Sequence, residues 1–146
     1  PALQAIDLTA EKQAQNDSLV NSDIHSQLKN WPIQLALLNP DAPYFKDADL
    51  LITADCVPIS YGNFHLEFLK NKIVIMFCPK LDNRTQPYIE KLTQLFKNNN
   101  IKSVTTTRMQ VPCCSATSNI VKQALQNSNK DVPIKEYVVS LDGKLI

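Results

Sequence analysis

Short apolar runs alternate with amphipathic segments from Trp31 to the end of the chain. Most of the runs are continuously apolar, as expected for strands that are covered on both faces of a sheet. Strands that alternate with helices are typical of a parallel sheet, because each parallel connection needs a crossover. The runs predict five strands: IQLALL at 33–38, DLLITADC at 49–56, KIVIMFC at 72–78, KSVTTTRM at 102–109 and KEYVVSL at 135–141.

The amphipathic segments between these runs predict three crossover helices, because their apolar residues recur at helical spacing. LDGK at 141–144 is typical of a two-residue turn and predicts a short C-terminal hairpin. We therefore expect an α/β domain of three layers over residues 31–146, Rossmann-like or flavodoxin-like, with a mostly parallel sheet of about five strands. The helical stripes are Tyr61, Phe64, Phe68 and Leu69; Tyr88, Ile89, Leu92, Leu95 and Phe96; and Ile120, Val121, Ala124 and Leu125.

Residues 1–30 are polar and predict a linker with one marginal helix. Val20, Ile24 and Leu28 have helical spacing, and Asp17 or Ser18 could cap the helix. The chain begins with Pro1 rather than Met, so we expect a further segment upstream.

Charge and hydropathy exclude two classes of partner. The formal net charge is +1, with fifteen basic and fourteen acidic residues spread without blocks, which argues against binding to nucleic acid or to anionic lipid. No apolar run reaches the roughly 18 residues of a membrane span, and no secretory signal pattern opens the chain. We expect a cytoplasmic protein. The two glycines, Gly62 and Gly143, leave no glycine-rich phosphate loop, and no G-x-S-x-G elbow is present.

The four cysteines fall at the ends of predicted strands. Cys56 and Cys78 end the second and third strands, and Cys113 with Cys114 follows the fourth, just before a helix that starts near Ser115. Because the carboxyl ends of parallel strands meet at one edge of the sheet, where such folds bind ligands, we expect the four to converge there. The alternative is that they are inert packing residues, since free cysteine is often buried.

Helix N-termini lower thiol pKa values, so we expect Cys113 and Cys114 to be thiolates. Four thiolates without a neighbouring histidine pattern suit an iron–sulfur cluster or a zinc tetrathiolate. Because structural zinc sites usually comprise two C-x(2–4)-C knuckles, which this chain lacks, the cluster is favoured and zinc is the runner-up. Two adjacent cysteines can both bind only from a loop or a helical turn, because side chains alternate along a strand.

Three polar residues near the predicted edge could tune such a site. His65 could orient or protonate a group there, and Lys80 and Asp82 could adjust the potential of a bound centre. The simpler interpretation is a packed or surface histidine and two solvated loop charges.

Three stretches carry a family resemblance: WPIQLALLNPDAPYFKDADLL, ADCVPISYGNFHLEFLKNK and CPKLDNRTQPYIEKLTQLFKNNNIKSVTTTRMQVPCC. Over about residues 28–146 the chain resembles the C-terminal domain of a bacterial and archaeal family of dicluster 4Fe–4S ferredoxin-like proteins. The family pattern is matched at Asp55 and Cys56, at Phe64 and His65, at residues 78–82 and at residues 111–114. Gln110 and Ser115 depart from it, where the family has Glu and Gly.

This resemblance implies an N-terminal dicluster ferredoxin module upstream of the chain, an iron–sulfur redox setting and a place for Asp55 beside the site. Our leading hypothesis is a non-catalytic electron-transfer domain in which Cys56, Cys78, Cys113 and Cys114 bind a 4Fe–4S cluster. Its partners would be the ferredoxin module and redox enzymes, with a homodimer left open. Two alternatives remain. One is a cysteine-based redox or transferase enzyme that uses Cys113 or Cys114 with His65 as base. The other is a metal-free docking module for a partner oxidoreductase.

Overall fold

The sheet has four parallel strands. In the computed structural model, which describes residues 23–146, they are β1 (Asp49–Ala54), β2 (Ile73–Phe77), β3 (Ser103–Met109) and β4 (Ile134–Val139). They lie in the order β2-β1-β3-β4, and every neighbouring pair is parallel. The four correspond to the last four predicted strands.

Two long helices and two short ones connect the strands. They are α1 (Val57–Ser60), α2 (Pro79–Asp82), α3 (Thr85–Asn98) and α4 (Ala116–Ser128). A π-helical turn, His65–Leu69, completes the connection from β1 to β2, where a single regular helix was predicted. Of the predicted marginal helix, Val20 lies outside the described residues, and Ile24 and Leu28 lie in irregular backbone.

The sheet is covered on both faces, which gives the predicted three-layer architecture. Alternation along β1 sends Leu50 and Ile52 to one face and Leu51 to the other. The first face packs against the apolar stripes of α3 and α4. The second face packs against the connection from β1 to β2, including Phe64 and Phe68. The fold is therefore a Rossmann-like α/β domain, as the sequence predicts.

The predicted first strand, residues 33–38, is wrong. Gln34 forms a single bridge to Met76, and Leu35–Leu37 is a 3-10 helix. The apolar residues that are buried here, Leu35 and Leu38, are three positions apart, which fits a 3-10 turn rather than a strand. Lys91 donates to the carbonyls of Leu35 and Ala36, at 3.1 and 3.2 Å from its Nζ, so these groups do not need a neighbouring strand.

The predicted C-terminal hairpin forms as a short antiparallel return. The Ser140 amide donates to the Lys144 carbonyl at 2.8 Å, and Val139 forms an antiparallel bridge with Leu145. Gly143 has a φ of 87°, a left-handed conformation that glycine adopts at little cost.

Asn30 covers part of the outer edge of β2. Its Nδ2 donates to the Val74 carbonyl and its Oδ1 accepts from the Val74 amide, both at 2.9 Å. The side chain is 6% exposed, so these bonds are shielded from water. One amide side chain thus supplies the pairing that a fifth strand would give at this position.

We predict that Asn30→Ala lowers the free energy of unfolding by about 2–4 kcal/mol, because both backbone groups of Val74 lose their partner in a buried position. Urea denaturation measures the change. The control is Asn63→Ala, which removes an exposed asparagine. Equal effects of the two substitutions would contradict this role for Asn30.

Candidate functional site

The four cysteines lie at the carboxyl ends of three adjacent strands. Cys56 follows β1 after one intervening residue, and Cys78 follows β2 directly. Cys113 and Cys114 follow β3 in the 3-10 helix Pro112–Cys114. All four are free thiols. Negative charge on Cys78 or on Cys113 raises the pKa of Cys56, which is a sign of their proximity. We call this group of four the thiol cluster.

The thiol cluster lies where the direction of the chain connections reverses. From β1 the chain passes to β2 on one side, whereas from β3 it passes to β4 on the other side. In open α/β sheets the crevice at such a reversal is the usual ligand site. Cys56 and the Cys113–Cys114 pair follow the two strands that flank this crevice.

Cys78 is held in a tight turn. It precedes α2, and its Sγ accepts a hydrogen bond from the Leu81 amide at 3.4 Å. Its own amide donates to Oδ2 of Asp82 at 3.3 Å, and its carbonyl accepts from the Asp82 amide at 3.0 Å. The same Oδ2 accepts a hydrogen bond from the Tyr88 hydroxyl at 2.6 Å. Asp82, which was singled out from the sequence, therefore contacts the Cys78 backbone.

Cys113 and Cys114 lie in a helical turn, which is one of the two arrangements that allow adjacent cysteines to face one centre. Cys114 is only 3% exposed, and burial raises its pKa to about 11, although a hydrogen bond with the Met109 backbone acts in the opposite direction. The neighbouring Cys113 thiol also contributes to the raised pKa of Cys114. The expectation of a lowered pKa is therefore wrong for Cys114, because desolvation outweighs the helix N-terminus.

Cys56 is the exposed member of the thiol cluster. Its pKa is raised by desolvation first, and then by Cys78, Cys113 and Asp55. Asp55 accepts a hydrogen bond from Nε2 of Gln34 at 3.3 Å. Burial raises the pKa of Asp55, the Gln34 bond lowers it, and the Asp82 carboxylate raises it further. Two carboxylates thus lie beside the thiols.

The other two residues singled out from the sequence lie outside these contacts. Nδ1 of His65 accepts a hydrogen bond from the Gln27 amide at 3.1 Å, and the ring lies against Phe64. Within residues 23–146, its recorded partners include none of the four cysteines. Lys80 is on α2, two residues after Cys78, with an exposed side chain.

Sequence reasoning missed three contributors to the site. Tyr88 was interpreted only as part of the α3 core stripe, because its ring has helical spacing with Leu92 and Leu95. The Leu81 amide carries no sequence signal, because every residue except proline has a backbone amide. The Gln34 side chain was missed because Gln34 lies in the segment that was predicted as a strand.

In the described part of the chain, no three His, Cys, Asp or Glu side chains are grouped tightly enough to hold a metal ion as they stand. The four thiols are free and attached to three separate turns, and Cys56 interacts electrostatically with Cys78, Cys113 and Cys114. Deprotonation followed by side-chain rotation would be needed for joint ligation. As free thiols they could instead form a disulfide or be alkylated.

Comparison with known proteins identifies the family. A family described as "Rossmann-like domain" matches residues 42–146. An uncharacterized protein of Archaeoglobus fulgidus is 28% identical over 117 residues, which cover 80% of this chain and 81% of that protein. No solved structure matches the chain.

These findings correct the family resemblance drawn from the sequence. The family that matches is defined by a Rossmann-like domain, and the archaeal relative is uncharacterized, so nothing points to a dicluster ferredoxin family. The assignment to that family is wrong, whereas the predicted Rossmann-like fold is confirmed. Among the helices of residues 23–146, none has both the length and the apolar character needed to cross a membrane.

We predict that Cys114 makes the stability of the metal-free protein sensitive to alkaline pH. The folded protein keeps the Cys114 proton until about pH 11, whereas the unfolded thiol loses it near its ordinary pKa of 9.0. The resulting stabilisation is present below this range and is lost as the pH rises through it. In urea denaturation, the stability difference between the wild type and Cys114→Ala should shrink across this range. A difference that stays constant with pH would contradict the prediction.

Proposed function

Because the chain belongs to the Rossmann-like domain family, and because its strand-end crevice carries sulfur ligands, we propose that the thiol cluster binds a soft metal centre. Cys56, Cys78, Cys113 and Cys114 would be the ligands, with an iron–sulfur cluster of the 4Fe–4S type favoured over zinc. The observation that carries the proposal is the convergence of four free thiols from three strand ends at the reversal of the connections.

The donor set fits such a centre chemically. Four sulfurs, with no histidine among their contacts within residues 23–146, suit iron–sulfur or zinc chemistry. Cys78 also accepts an amide hydrogen bond at its Sγ, an interaction that stabilises a thiolate and tunes the potential of iron–sulfur clusters. The exposed Cys56 and the half-buried Cys113 lie in turns beyond the strand ends, where side chains can rotate to meet a metal.

The spacing of the cysteines favours a cluster over zinc. Structural zinc sites usually bring ligand pairs on two short knuckles. Here the ligands come from three turns: Cys78 lies 22 positions after Cys56 (78 − 56), and Cys113 lies 35 positions after Cys78 (113 − 78). A larger centre can bridge such separate turns more readily than a single ion.

The proposed role is electron transfer rather than catalysis. An iron–sulfur cluster, when bound, supplies one-electron chemistry over a range of potentials set by its surroundings. Ile59 and Leu81 follow Cys56 and Cys78 closely and are 92% and 84% exposed, so apolar surface is available beside the thiol cluster for contact with a redox partner. We propose that this takes place in the cytoplasm, where thiols stay reduced.

A thiol enzyme has less support. A nucleophilic cysteine needs a lowered pKa or an adjacent base. The pKa values of Cys56 and Cys114 are raised, and His65 is hydrogen-bonded to the Gln27 amide. A metal-free packing role also fits poorly, because Cys56 is exposed.

We predict that protein purified without oxygen contains iron and acid-labile sulfide in near-equal amounts and absorbs visible light. Cys56→Ser or Cys78→Ser should remove most of this absorbance and lower the unfolding midpoint of the loaded protein, because metal binding contributes to folding free energy. Metal analysis, the visible spectrum and thermal unfolding measure these effects.

His65→Gln is the control, since His65 is not proposed as a ligand, and it should leave the iron content unchanged. If the wild type contains zinc but no sulfide, and both serine variants lose the zinc, the iron–sulfur cluster is wrong and the site binds zinc. Protein free of both metals, or colour retained in both serine variants, would overturn the proposal.

A further inference from the structure

We propose that Tyr88 and Asp82 form a brace that positions Cys78, so that the Leu81 amide is directed at the Cys78 sulfur. The inference rests on the proposed function in taking Cys78 as a ligand, but the brace itself is a property of the metal-free protein. Neither residue touches the metal centre in this proposal, so both are positioning residues.

The helix that follows Cys78 buries little apolar surface. Helix α2 is four residues long and buries none of them. The side chain of Leu81, the most apolar residue of the helix, is 84% exposed. Asn83, which follows α2, has a φ of 48°, so the chain leaves the turn in a left-handed conformation. Because α2 buries none of its own side chains, hydrogen bonds to neighbouring groups contribute to fixing its position.

Tyr88 provides a fixed point for those bonds. It is 3% exposed on the buried side of α3, and its ring meets that of Phe77 edge to face, with the centroids 5.2 Å apart. Phe77 is the last residue of β2 and immediately precedes Cys78. The hydroxyl of Tyr88 is thus held by the core directly below the turn.

Asp82 connects this fixed point to the turn. Its Oδ2 accepts from the Tyr88 hydroxyl at 2.6 Å and from the Cys78 amide at 3.3 Å. Its amide donates to the Cys78 carbonyl at 3.0 Å. Asp82 thus binds both the amide and the carbonyl of Cys78, which closes the turn. In this closed turn the Leu81 amide lies 3.4 Å from the Cys78 Sγ.

The brace has a consequence for ligation. Groups that orient metal ligands typically change metal affinity by 10-fold to 100-fold when they are removed. Tyr88→Phe keeps the ring and its contact with Phe77 but removes the hydroxyl, so Asp82 loses its link to the core. The Leu81 amide should then be less well directed at the sulfur.

The test compares the wild type, Tyr88→Phe and the control Tyr44→Phe, which alters a tyrosine on the 3-10 helix Pro43–Phe45 that leads toward β1. In the metal-free protein, amide hydrogen exchange at Leu81 and alkylation of Cys78 are measured relative to α4 amides and to Cys56. Affinity for Co²⁺, used as the probe, is measured from its thiolate charge-transfer absorbance.

For Tyr88→Phe we expect faster exchange at Leu81, faster alkylation of Cys78 and a roughly 10-fold to 100-fold loss of Co²⁺ affinity. Tyr44→Phe should resemble the wild type. General destabilisation would also speed exchange at the α4 amides and alkylation of Cys56, and would leave the two ratios unchanged. If the Leu81-to-α4 exchange ratio and the Cys78-to-Cys56 alkylation ratio in Tyr88→Phe equal those of the wild type, the brace is overturned. If wild-type protein does not bind Co²⁺ but the two metal-free ratios change, the brace stands and the proposed function loses its support.

Two substitutions of Asp82 add a test of rescue. Asp82→Asn keeps a side-chain oxygen that can accept from both Tyr88 and the Cys78 amide, whereas Asp82→Ala removes it. We expect Asp82→Ala to change the two metal-free ratios as Tyr88→Phe does, and Asp82→Asn to lie close to the wild type. Equal effects of the two Asp82 variants would contradict the positioning role.

Discussion

The arrangement of the site depends on the parallel pairing of β1 with both of its neighbours. In register, Ala54 pairs with Phe77 of β2, and Thr53 pairs with Thr107 of β3. A buried hydrogen bond of 2.6 Å between the Thr53 and Thr107 hydroxyls ties β1 to β3 near their carboxyl ends. Because successive side chains alternate between faces, a slip of one residue would move apolar side chains out of the core. The register therefore fixes the strand ends, and with them the turns that carry the cysteines.

These turns place sulfur where many folds of this kind place backbone amides. In nucleotide-binding sheets, a glycine-rich turn after the first strand directs N–H groups and a long helix at a phosphate. Here the corresponding turn contains Asp55 and Cys56, Pro58 lacks an amide donor, and α1 is only four residues long. The turn after β1 thus offers a thiol and a carboxylate where a nucleotide-binding turn offers amide donors. A shared fold does not by itself assign a ligand, so the ligand must be argued from the site.

Periodicity was sufficient to predict the sheet and the long helices, because continuous apolar runs and helical stripes report directly on burial. It failed at residues 33–38, where an apolar run packs through a 3-10 turn. The position of the cysteines at one edge followed from their places at the carboxyl ends of the predicted parallel strands. The protonation of Cys114 did not follow, because burial is set by packing from several elements and overrides the local effect of the helix N-terminus. Tyr88 was missed for a related reason: its ring belongs to the core, whereas its hydroxyl reaches the site.

Burial and charge together limit what the thiol cluster can hold. Ionising one of these thiols makes ionising its neighbour harder, and the carboxylates of Asp55 and Asp82 add negative charge nearby. Four thiolates could therefore exist together here only beside compensating positive charge. Lys80 is exposed, and Arg108 is joined to Glu136 at 3.5 Å and to the Met109 carbonyl. The Arg84 cation acts on Tyr88, beside Asp82, and is itself exposed. A bound cation or a positively charged metal core would supply that compensation at the sulfurs themselves, so metal binding and proton release would be coupled. The raised pKa values that disfavour a nucleophilic cysteine are therefore compatible with a ligand set that ionises only when metal is present.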